Sequence, residues 1–310
     1  MNPVRMGRLL LCLTIPFLCW GCAGSPPIVK GYQQGAESAL SNADKALESN
    51  HRDEALHLVH IALKDHQLSG DLPDSVHDMN RIGYIETSLG NYPKALLWFR
   101  RAGLLSQVAG DPLLEAETLA LSSDTELFLK NREQAREQIR KGLKLISPLP
   151  SSTLRDHIEA HLYNSYGILR LDEKKWAGAL VFFQKSLEIN RRLNEPKKEA
   201  GNWANIGNTY LALNHPLKAR NSFSRALVLD KKMEYPNGIA FDSEGLALAE
   251  YRMGHWQEAL QFSIASYQIR LQQKDLQQSK NDLDLLHAIS AKHPLPLDFS
   301  LLKSWPAPAN

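Results

Sequence analysis

The sequence feature that most constrains the fold is an alanine that returns at a nearly constant interval. The spacings between successive copies are 40, 40, 44, 40 and 40 residues. Self-similarity at a fixed period of this size predicts a repeat protein, in which each unit packs only against its neighbours. The six alanines are Ala55, Ala95, Ala135, Ala179, Ala219 and Ala259.

A second small residue precedes each of these alanines by twelve positions. Two small residues at fixed offsets predict two helices that cross closely at the same place in every unit. In repeat five this places Gly207 opposite Ala219, with Phe223 filling the space beside the crossing. The chain is therefore predicted to be all-α, with six helix pairs. The second small residues are Ala43, Gly83, Ser123, Gly167, Gly207 and Ala247.

Repeat five carries the most complete motif of the six. It resembles the W-x2-L-G-x2-Y…A-x3-F…A signature of the tetratricopeptide repeat. The resemblance covers about residues 31–271, and its 40-residue period matches the long-repeat branch of that family. It implies a right-handed superhelix, an α-solenoid of six helix pairs. The matching residues are Trp203, Ile206, Gly207, Tyr210, Ala219, Phe223 and Ala226.

Three further segments flank or interrupt the repeats. Residues 274–292 are predicted to form a capping helix over the last repeat, and prolines mark 293–310 as an extended tail. The 44-residue spacing is explained by residues 147–152, which contain two prolines. We interpret them as a longer loop between repeats, with Ser152 or Thr153 as a helix cap; the alternative is a hinge.

The amino terminus has the pattern of an export signal. A basic segment is followed by an apolar run over 9–20 that is too short to span a bilayer. Gly21-Cys22 at its end resembles the lipobox of bacterial lipoproteins. The resemblance implies a signal peptide over 1–21, lipid on Cys22 and a tether over 22–30. An ordinary signal cleaved after Ala23 or Gly24 is the alternative.

The expected location follows from that resemblance. A lipidated chain without Asp after Cys22 is expected in the bacterial cell envelope, on the outer membrane and facing the periplasm.

All three cysteines lie within the first 22 residues. This excludes a disulfide framework, a zinc ribbon and a cysteine nucleophile from the rest of the chain.

The charge balance argues against nucleic acid as a partner. Without the segment that carries Arg5 and Arg8, 34 basic and 34 acidic side chains remain. A neutral body lacks the basic surface that binds phosphate backbones.

Chemical motifs are scarce, so no catalytic residue and no cofactor beyond the lipid are predicted. There is no Gly-rich phosphate loop, G-x-S-x-G or HExxH motif. His157 and His161 are spaced to share a helix face and form the best metal candidate, although the sequence offers no third ligand. The histidines of repeat one, including His66, are predicted to lie on a solvated helix face.

The surface expected to function is the concave face lined by the first helix of each pair, as the resemblance implies. Asparagine offers both a donor and an acceptor, so it can bind a peptide backbone. The candidate groove residues are Asn80, Arg81 and Tyr84 in repeat two, Asp124 and Phe128 in three, Asn164 and Ile168 in four, Asn205 and Asn208 in five, and Glu244 and Arg252 in six.

These observations favour a non-enzymatic scaffold or adaptor that binds a protein or peptide partner in its groove. It would be tethered to an envelope membrane and take part in assembling an envelope complex. Two alternatives remain at the level of the sequence. One is a metal-binding or small-molecule-binding protein, or an enzyme, that uses the His157/His161 region. The other is a structural protein that assembles with its own copies.

Overall fold

The computed structural model describes residues 27–49 and 51–292, and within them it contains helices and turns but no strand. The predicted all-α fold is confirmed. Residues 1–26, which include Cys22 and the predicted signal peptide, lie outside the described part, as does the tail over 293–310. The helices in order are α1 (Pro27–Glu48), α2 (Arg52–Ser69), α3 (Leu72–Ser88), α4 (Tyr92–Ala109), α5 (Pro112–Phe128), α6 (Arg132–Ile146), α7 (Thr153–Asp172), α8 (Trp176–Arg192), α9 (Pro196–Ala212), α10 (Pro216–Lys232), α11 (Pro236–Met253), α12 (Trp256–Gln272) and α13 (Leu276–Lys292).

The same tight turn connects most successive helices. One residue adopts a left-handed backbone, and the next N–H donates to a carbonyl five residues earlier, as His215 does to Tyr210 at 2.9 Å. This turn satisfies the last carbonyls of one helix and reverses the chain into the next. The left-handed residues recur every 20 residues on each side of the 147–152 loop, at Gly70, Gly90, Gly110 and Lys130 and then at Lys174, Asn194, Asn214, Glu234, Gly254 and Lys274.

Each odd-numbered helix packs against the even-numbered helix that follows it. All six alanines of the repeat are fully buried in these pairs. The odd-numbered helices from α3 to α11 also contact one another from repeat to repeat, whereas the even-numbered helices are farther apart. The odd-numbered helices therefore form the inner layer of the solenoid, and the even-numbered helices form the outer layer.

The thirteenth helix corresponds to the first half of a further repeat. α13 packs on α12 through Leu286 and Tyr267. Its register matches that of the other odd-numbered helices, but His287 stands where they carry alanine, glycine or serine. The small residue that marks a close helix crossing in the other repeats is therefore not kept in α13.

Two boundaries differ from, or refine, the expectations from sequence. α1 begins at Pro27, so its first turn uses residues that the sequence assigned to the tether. The 147–152 loop leads directly into α7, where the Ser152 hydroxyl caps the helix by accepting from the N–H of Arg155 at 3.2 Å. Ile146 and Leu162, on the two sides of the loop, belong to one apolar core. The continuous core fits a longer loop better than a hinge.

A buried side-chain pair joins each repeat to the next. The first member lies eleven residues after the repeat alanine, and the second lies five residues before the next small residue. All twelve side chains are buried. The first of these pairs contains His66, which the sequence predicted to be solvated. That prediction is wrong, because His66 is buried and its ring lies 2.6 Å from an Asp78 carboxylate oxygen. The pairs are His66–Asp78, Ser106–Thr118, Ile146–Leu162, Asn190–Asn202, Asp230–Asp242 and Arg270–Asp282.

Candidate binding site on the inner layer

A cavity of about 360 Å³ opens on the inner layer between α5, α7 and α9. We call it the central cavity. Two of the predicted groove residues, Asn164 of α7 and Asn205 of α9, line it. So do His157 and His161, which the sequence proposed as an alternative site. The predicted groove residues and the alternative histidine site therefore share one cavity.

Asparagine amides form one wall of the central cavity. Asn205 Nδ2 donates to Asn164 Oδ1 at 2.9 Å, and Asn202 Nδ2 donates to the same oxygen at 3.2 Å. Asn202 Oδ1 in turn accepts from Asn190 Nδ2 at 2.7 Å, which anchors the wall to a buried junction pair. Asn164 Nδ2 and Asn205 Oδ1 take part in none of the hydrogen bonds among the described residues. One amide donor and one amide acceptor are therefore left for a ligand.

The position of these amides follows from the repeat register. Asn164 lies three residues before Gly167, and Asn205 lies two residues before Gly207. Both glycines turn toward the phenylalanine of their own outer helix. Residues two positions apart on an α-helix point to different faces, and the hydrogen bonds from Asn205 and Asn202 to Asn164 fix the orientation of Asn164 toward α9. Both amides therefore face the neighbouring inner helix and the cavity.

The two histidines are each held by a group from a neighbouring inner helix. His161 Nε2 lies 2.7 Å from Asp124 Oδ2. Burial lowers the pKa of His161, but the charge of Asp124 and its hydrogen bond outweigh burial, and the pKa is raised overall. His157 Nδ1 lies 3.0 Å from Lys198 Nζ, and its Nε2 lies 3.4 Å from Glu195 Oε1. Because the lysine can only donate, His157 Nδ1 accepts and Nε2–H faces the carboxylate.

The central cavity gives little support to a metal ion. Within residues 27–49 and 51–292, no group of three or more His, Cys, Asp or Glu side chains is arranged to hold a metal. Glu159, between the two histidines in sequence, accepts from Arg155 at 2.8 Å and from Tyr163 at 3.1 Å.

Other predicted groove residues lie on the inner layer outside the central cavity. Tyr84 and Phe128 are exposed, and the Phe128 ring stacks on Tyr92 with 6.0 Å between centroids. Arg81 is ion-paired with Asp44 of the preceding inner helix. Asn208 is half-buried.

Four predicted groove residues serve the packing of the solenoid instead. Asn80 is buried, and neither of its amide atoms has a hydrogen-bond partner among the described residues. Ile168 packs against two of the apolar cores. Glu244 turns toward α12 and accepts from Arg270 at 2.8 Å. Arg252 donates to the carbonyl of Leu211 in the preceding repeat.

The lining of the central cavity includes polar and charged residues that were not predicted from the sequence, among them Glu117, Lys198 and Asn202. Glu117 and His161 occupy the same register position, six residues before the small residue of α5 and α7. Comparing that position across repeats would have found Glu117. Lys198 lies in the first turn of α9, four residues before Asn202, where the motif places no requirement.

Comparisons with known proteins support the fold. No protein-family model matches the sequence, and no curated protein matches it. Several solved structures match the fold of this chain. The signal transduction ATPase with numerous domains from Pyrococcus horikoshii, which has a tetratricopeptide repeat sensor, matches with a TM-score of 0.66 at 16% identity, over 87% of this chain and 41% of that one. The Cut9–Hcn1 heterotetramer of the APC/C matches with a TM-score of 0.65 at 17% identity, over 84% of this chain and 44% of that one.

A third neighbour matches over most of its own length. It is a Rap protein complexed with competence and sporulation factor, with a TM-score of 0.57 at 14% identity, over 86% of this chain and 85% of that one. The chain spans less than half the length of the first two neighbours. At these identities the likeness concerns the fold alone. The fold is a tetratricopeptide-like α-solenoid.

Proposed function

We propose that this protein is a non-enzymatic scaffold that binds a peptide segment of a partner protein in the central cavity. The observation that carries the proposal is the pair of free amide atoms, Asn164 Nδ2 and Asn205 Oδ1, on the inner layer. A peptide group carries one acceptor and one donor, so it complements this pair without requiring a particular side chain.

The size and composition of the central cavity fit such a ligand. A volume of about 360 Å³ is at the low end of the range for small-ligand sites. It therefore suits a few residues of an extended chain rather than a folded domain. Lys198 and Glu117 add one charge of each sign to the lining. This allows contacts with polar side chains that flank the bound peptide group.

The comparisons support a scaffold at the level of the fold. One neighbour's repeats are named a sensor, and two others were solved as complexes with Hcn1 and with competence and sporulation factor. Inner layers of repeat proteins offer extended binding surfaces, which is the use proposed here. Since one fold hosts many functions, the partner must be argued from the site.

We further propose that lipid on Cys22 tethers the scaffold to a bacterial envelope membrane, on the outer membrane facing the periplasm. There it would help to assemble an envelope complex. The support for this part is the sequence pattern around Cys22. In the described part of the chain, no helix is long and apolar enough to cross a bilayer.

Site-specific cross-linking in cells tests the binding proposal. A photo-cross-linking amino acid at Lys198, on the rim of the central cavity, should capture a partner. The same amino acid at Lys218, exposed on α10, should not. The Asn164→Ala/Asn205→Ala variant should fold normally and lose the adduct. Two lost hydrogen bonds at about 0.5–1.5 kcal/mol each predict binding weaker by roughly 5- to 150-fold.

Asn208→Ala serves as the matched control, because Asn208 lies on the same helix as Asn205 but does not line the central cavity. It should leave capture unchanged. An adduct that survives Asn164→Ala/Asn205→Ala would place the partner on another face. An adduct between two copies of this chain would favour the self-assembling alternative.

A second candidate function is the binding of a small molecule or metal through His157 and His161. The observation in its favour is that both side chains line the central cavity. It predicts metal or a small molecule in protein purified under native conditions, lost in His157→Ala/His161→Ala. A purified protein without either, and unchanged partner capture by that variant, would leave the scaffold proposal alone.

A further inference from the structure

The junction between repeats five and six contains two acidic side chains where the other junctions have complementary or neutral pairs. Asp230 of α10 is 5% exposed and Asp242 of α11 is 1% exposed. At the corresponding positions one junction earlier, Asn190 donates to Asn202 at 2.7 Å. One junction later, Arg270 donates to Asp282 at 2.9 Å. The register therefore places the two carboxyl groups of Asp230 and Asp242 face to face.

Two carboxyl groups can form a hydrogen bond only when one of them carries a proton, because carboxylate oxygens are acceptors alone. Among the described residues, no N–H or hydroxyl group donates to either oxygen of Asp242. The side chain of Asp230 faces it and acts on its pKa, as Asp242 acts on that of Asp230. The pair therefore holds a proton between its two members, or else buries two like charges in contact.

The surroundings of the pair favour the proton on Asp242 and the charge on Asp230. Asp230 lies against the first turn of α11, where a Cβ on Gly238 would come within 1.9 Å of its Oδ2. The N-terminus of a helix favours a negative charge. Burial raises the pKa of Asp230 overall, and the interaction with Asp242 and the charge of Lys197 on α9 lower it in part. Asp242 has no such support. Burial, together with the charge of Asp230, raises its pKa to about 9.

Charged groups on the helices packed around the pair are few. Lys197 faces it from α9, where the ammonium also lies 4.3 Å from the centroid of the Tyr235 ring. Asp230 and Asp242 are the groups from α10 and α11. Among the described residues, no charged side chain of α12 contributes to the pKa of either acid.

We propose that the junction between repeats five and six is a pH-sensitive latch, closed while Asp230 and Asp242 share a proton and loosened when the proton leaves. Loosening would separate α11–α13 from α9 and α10. The contact of Arg252 with the Leu211 carbonyl, which crosses the same junction, would be lost with it. The inner layer beyond α9 would then no longer be held in register with the central cavity.

The direction of the pH effect follows from the raised pKa. An unfolded aspartate releases its proton near pH 4, whereas folded Asp242 keeps it until about pH 9. The folded chain therefore binds more protons between these values. Its stability falls as pH rises through that window.

Thermal melts of the full chain from pH 6 to pH 9 test the latch. The Asp230→Asn/Asp242→Asn variant reproduces the amide pair of the preceding junction and cannot titrate. Its Tm should fall less between these pH values than that of the wild type, by at least about 3 °C. Asp242→Asn alone should behave in the same way, because its amide supplies the donor permanently. The pH dependence of all other groups is common to the three proteins and cancels.

The reciprocal variant, Asn190→Asp/Asn202→Asp, transfers the acid pair to the preceding junction. It should melt at a lower temperature at pH 9 than at pH 6 by a larger margin than the wild type. If it folds only in acid, that also supports the latch. Equal slopes for the wild type and Asp230→Asn/Asp242→Asn would overturn the proposal.

Discussion

The ring of Phe223 fills the space that Gly207 leaves on α9. A Cβ at position 207 would lie 2.8 Å from Cδ2 of that ring, closer than real Cβ contacts come. Gly245 of α11 leaves space on the other side, where a Cβ would lie 2.4 Å from Cε1. The sequence placed Gly207 opposite Ala219, one turn away from this contact. The glycine thus makes room for an aromatic ring, and one phenylalanine joins repeat five to repeat six.

Gly207→Ala should therefore destabilise the fold although alanine favours helices. Phe223 is fully buried and has little room to move, so overpacking should cost about 1–3 kcal/mol. Urea denaturation measures the change. Gly201 is the matched control, since it lies in the same helix and a Cβ there meets nothing within 4 Å. Gly201→Ala should stabilise by about 0.5–1 kcal/mol. Equal effects at the two sites would contradict the contact with Phe223.

The turn between α10 and α11 carries a strained residue. Glu234 has a φ of 51°, a left-handed conformation that costs an L-residue about 1–2 kcal/mol and glycine almost nothing. After the larger entropy loss of glycine on folding, Glu234→Gly should stabilise the protein by about 0.5 kcal/mol. Lys231→Gly, inside the last turn of α10, should instead destabilise it. A stabilising effect at Lys231 would show that the backbone conformation at 234 is not the cause.

The thirteenth helix is fastened by a buried charge. Arg270 donates to Asp282 at 2.9 Å and to Glu244 at 2.8 Å, and Ser266 donates to the other Asp282 oxygen at 3.0 Å. Asp282→Ala would leave the guanidinium buried with one partner fewer. Because Glu244 remains as a partner, this should cost less than the roughly 3–5 kcal/mol of a fully uncompensated buried charge, and it should release α13 first, as measured by hydrogen exchange of its amides.

Arg270→Met/Asp282→Leu is the control for this prediction. Replacing a buried ion pair by apolar side chains of similar size is often neutral or stabilising. The double variant should therefore keep α13 protected from exchange. If both variants release α13 equally, the release is explained by the lost fit between the two side chains and not by the charge that Asp282→Ala leaves on Arg270.

The repeat register was predictable from sequence because each unit repeats the same steric requirement. A helix crossing accepts only small residues, so Ala55, Gly83 and their counterparts stand out in a single chain. The junction pairs were not predictable in the same way. These pairs differ in kind from junction to junction, as ion pairs, hydroxyl pairs or amide pairs. Because histidine is a polar residue, the sequence alone indicated that His66 lies at the surface. Only the pairing of its position with Asp78 explains its burial.

The candidate groove was predictable in part for the same reason. The inner-layer register places Asn164 and Asn205 on the same surface, because both lie beside a crossing glycine. It did not anticipate that Glu244 would turn toward Arg270, since that contact depends on a long side chain in another helix. Lys198 was missed because a first-turn residue lies outside the repeat motif. Side-chain partners across repeats are set by local chemistry, which the period does not determine.

Cys22 gives the most direct test of the proposed membrane tether. Its thiol is the group to which a diacylglyceryl chain would be attached. The wild-type protein should therefore fractionate with membranes and resist extraction by high salt. Two or more acyl chains give stable anchoring because each buried methylene contributes about 0.8 kcal/mol, whereas a single chain is marginal.

Cys22→Ser should appear soluble or retain its signal, and Cys19→Ser is the matched control that should leave membrane association unchanged. Mass spectrometry of the mature amino terminus identifies the modification. A free terminus at Gly24 or Ser25 in the wild type would exclude the lipid and leave an exported scaffold whose repeats, from α1 to α13, are unaffected.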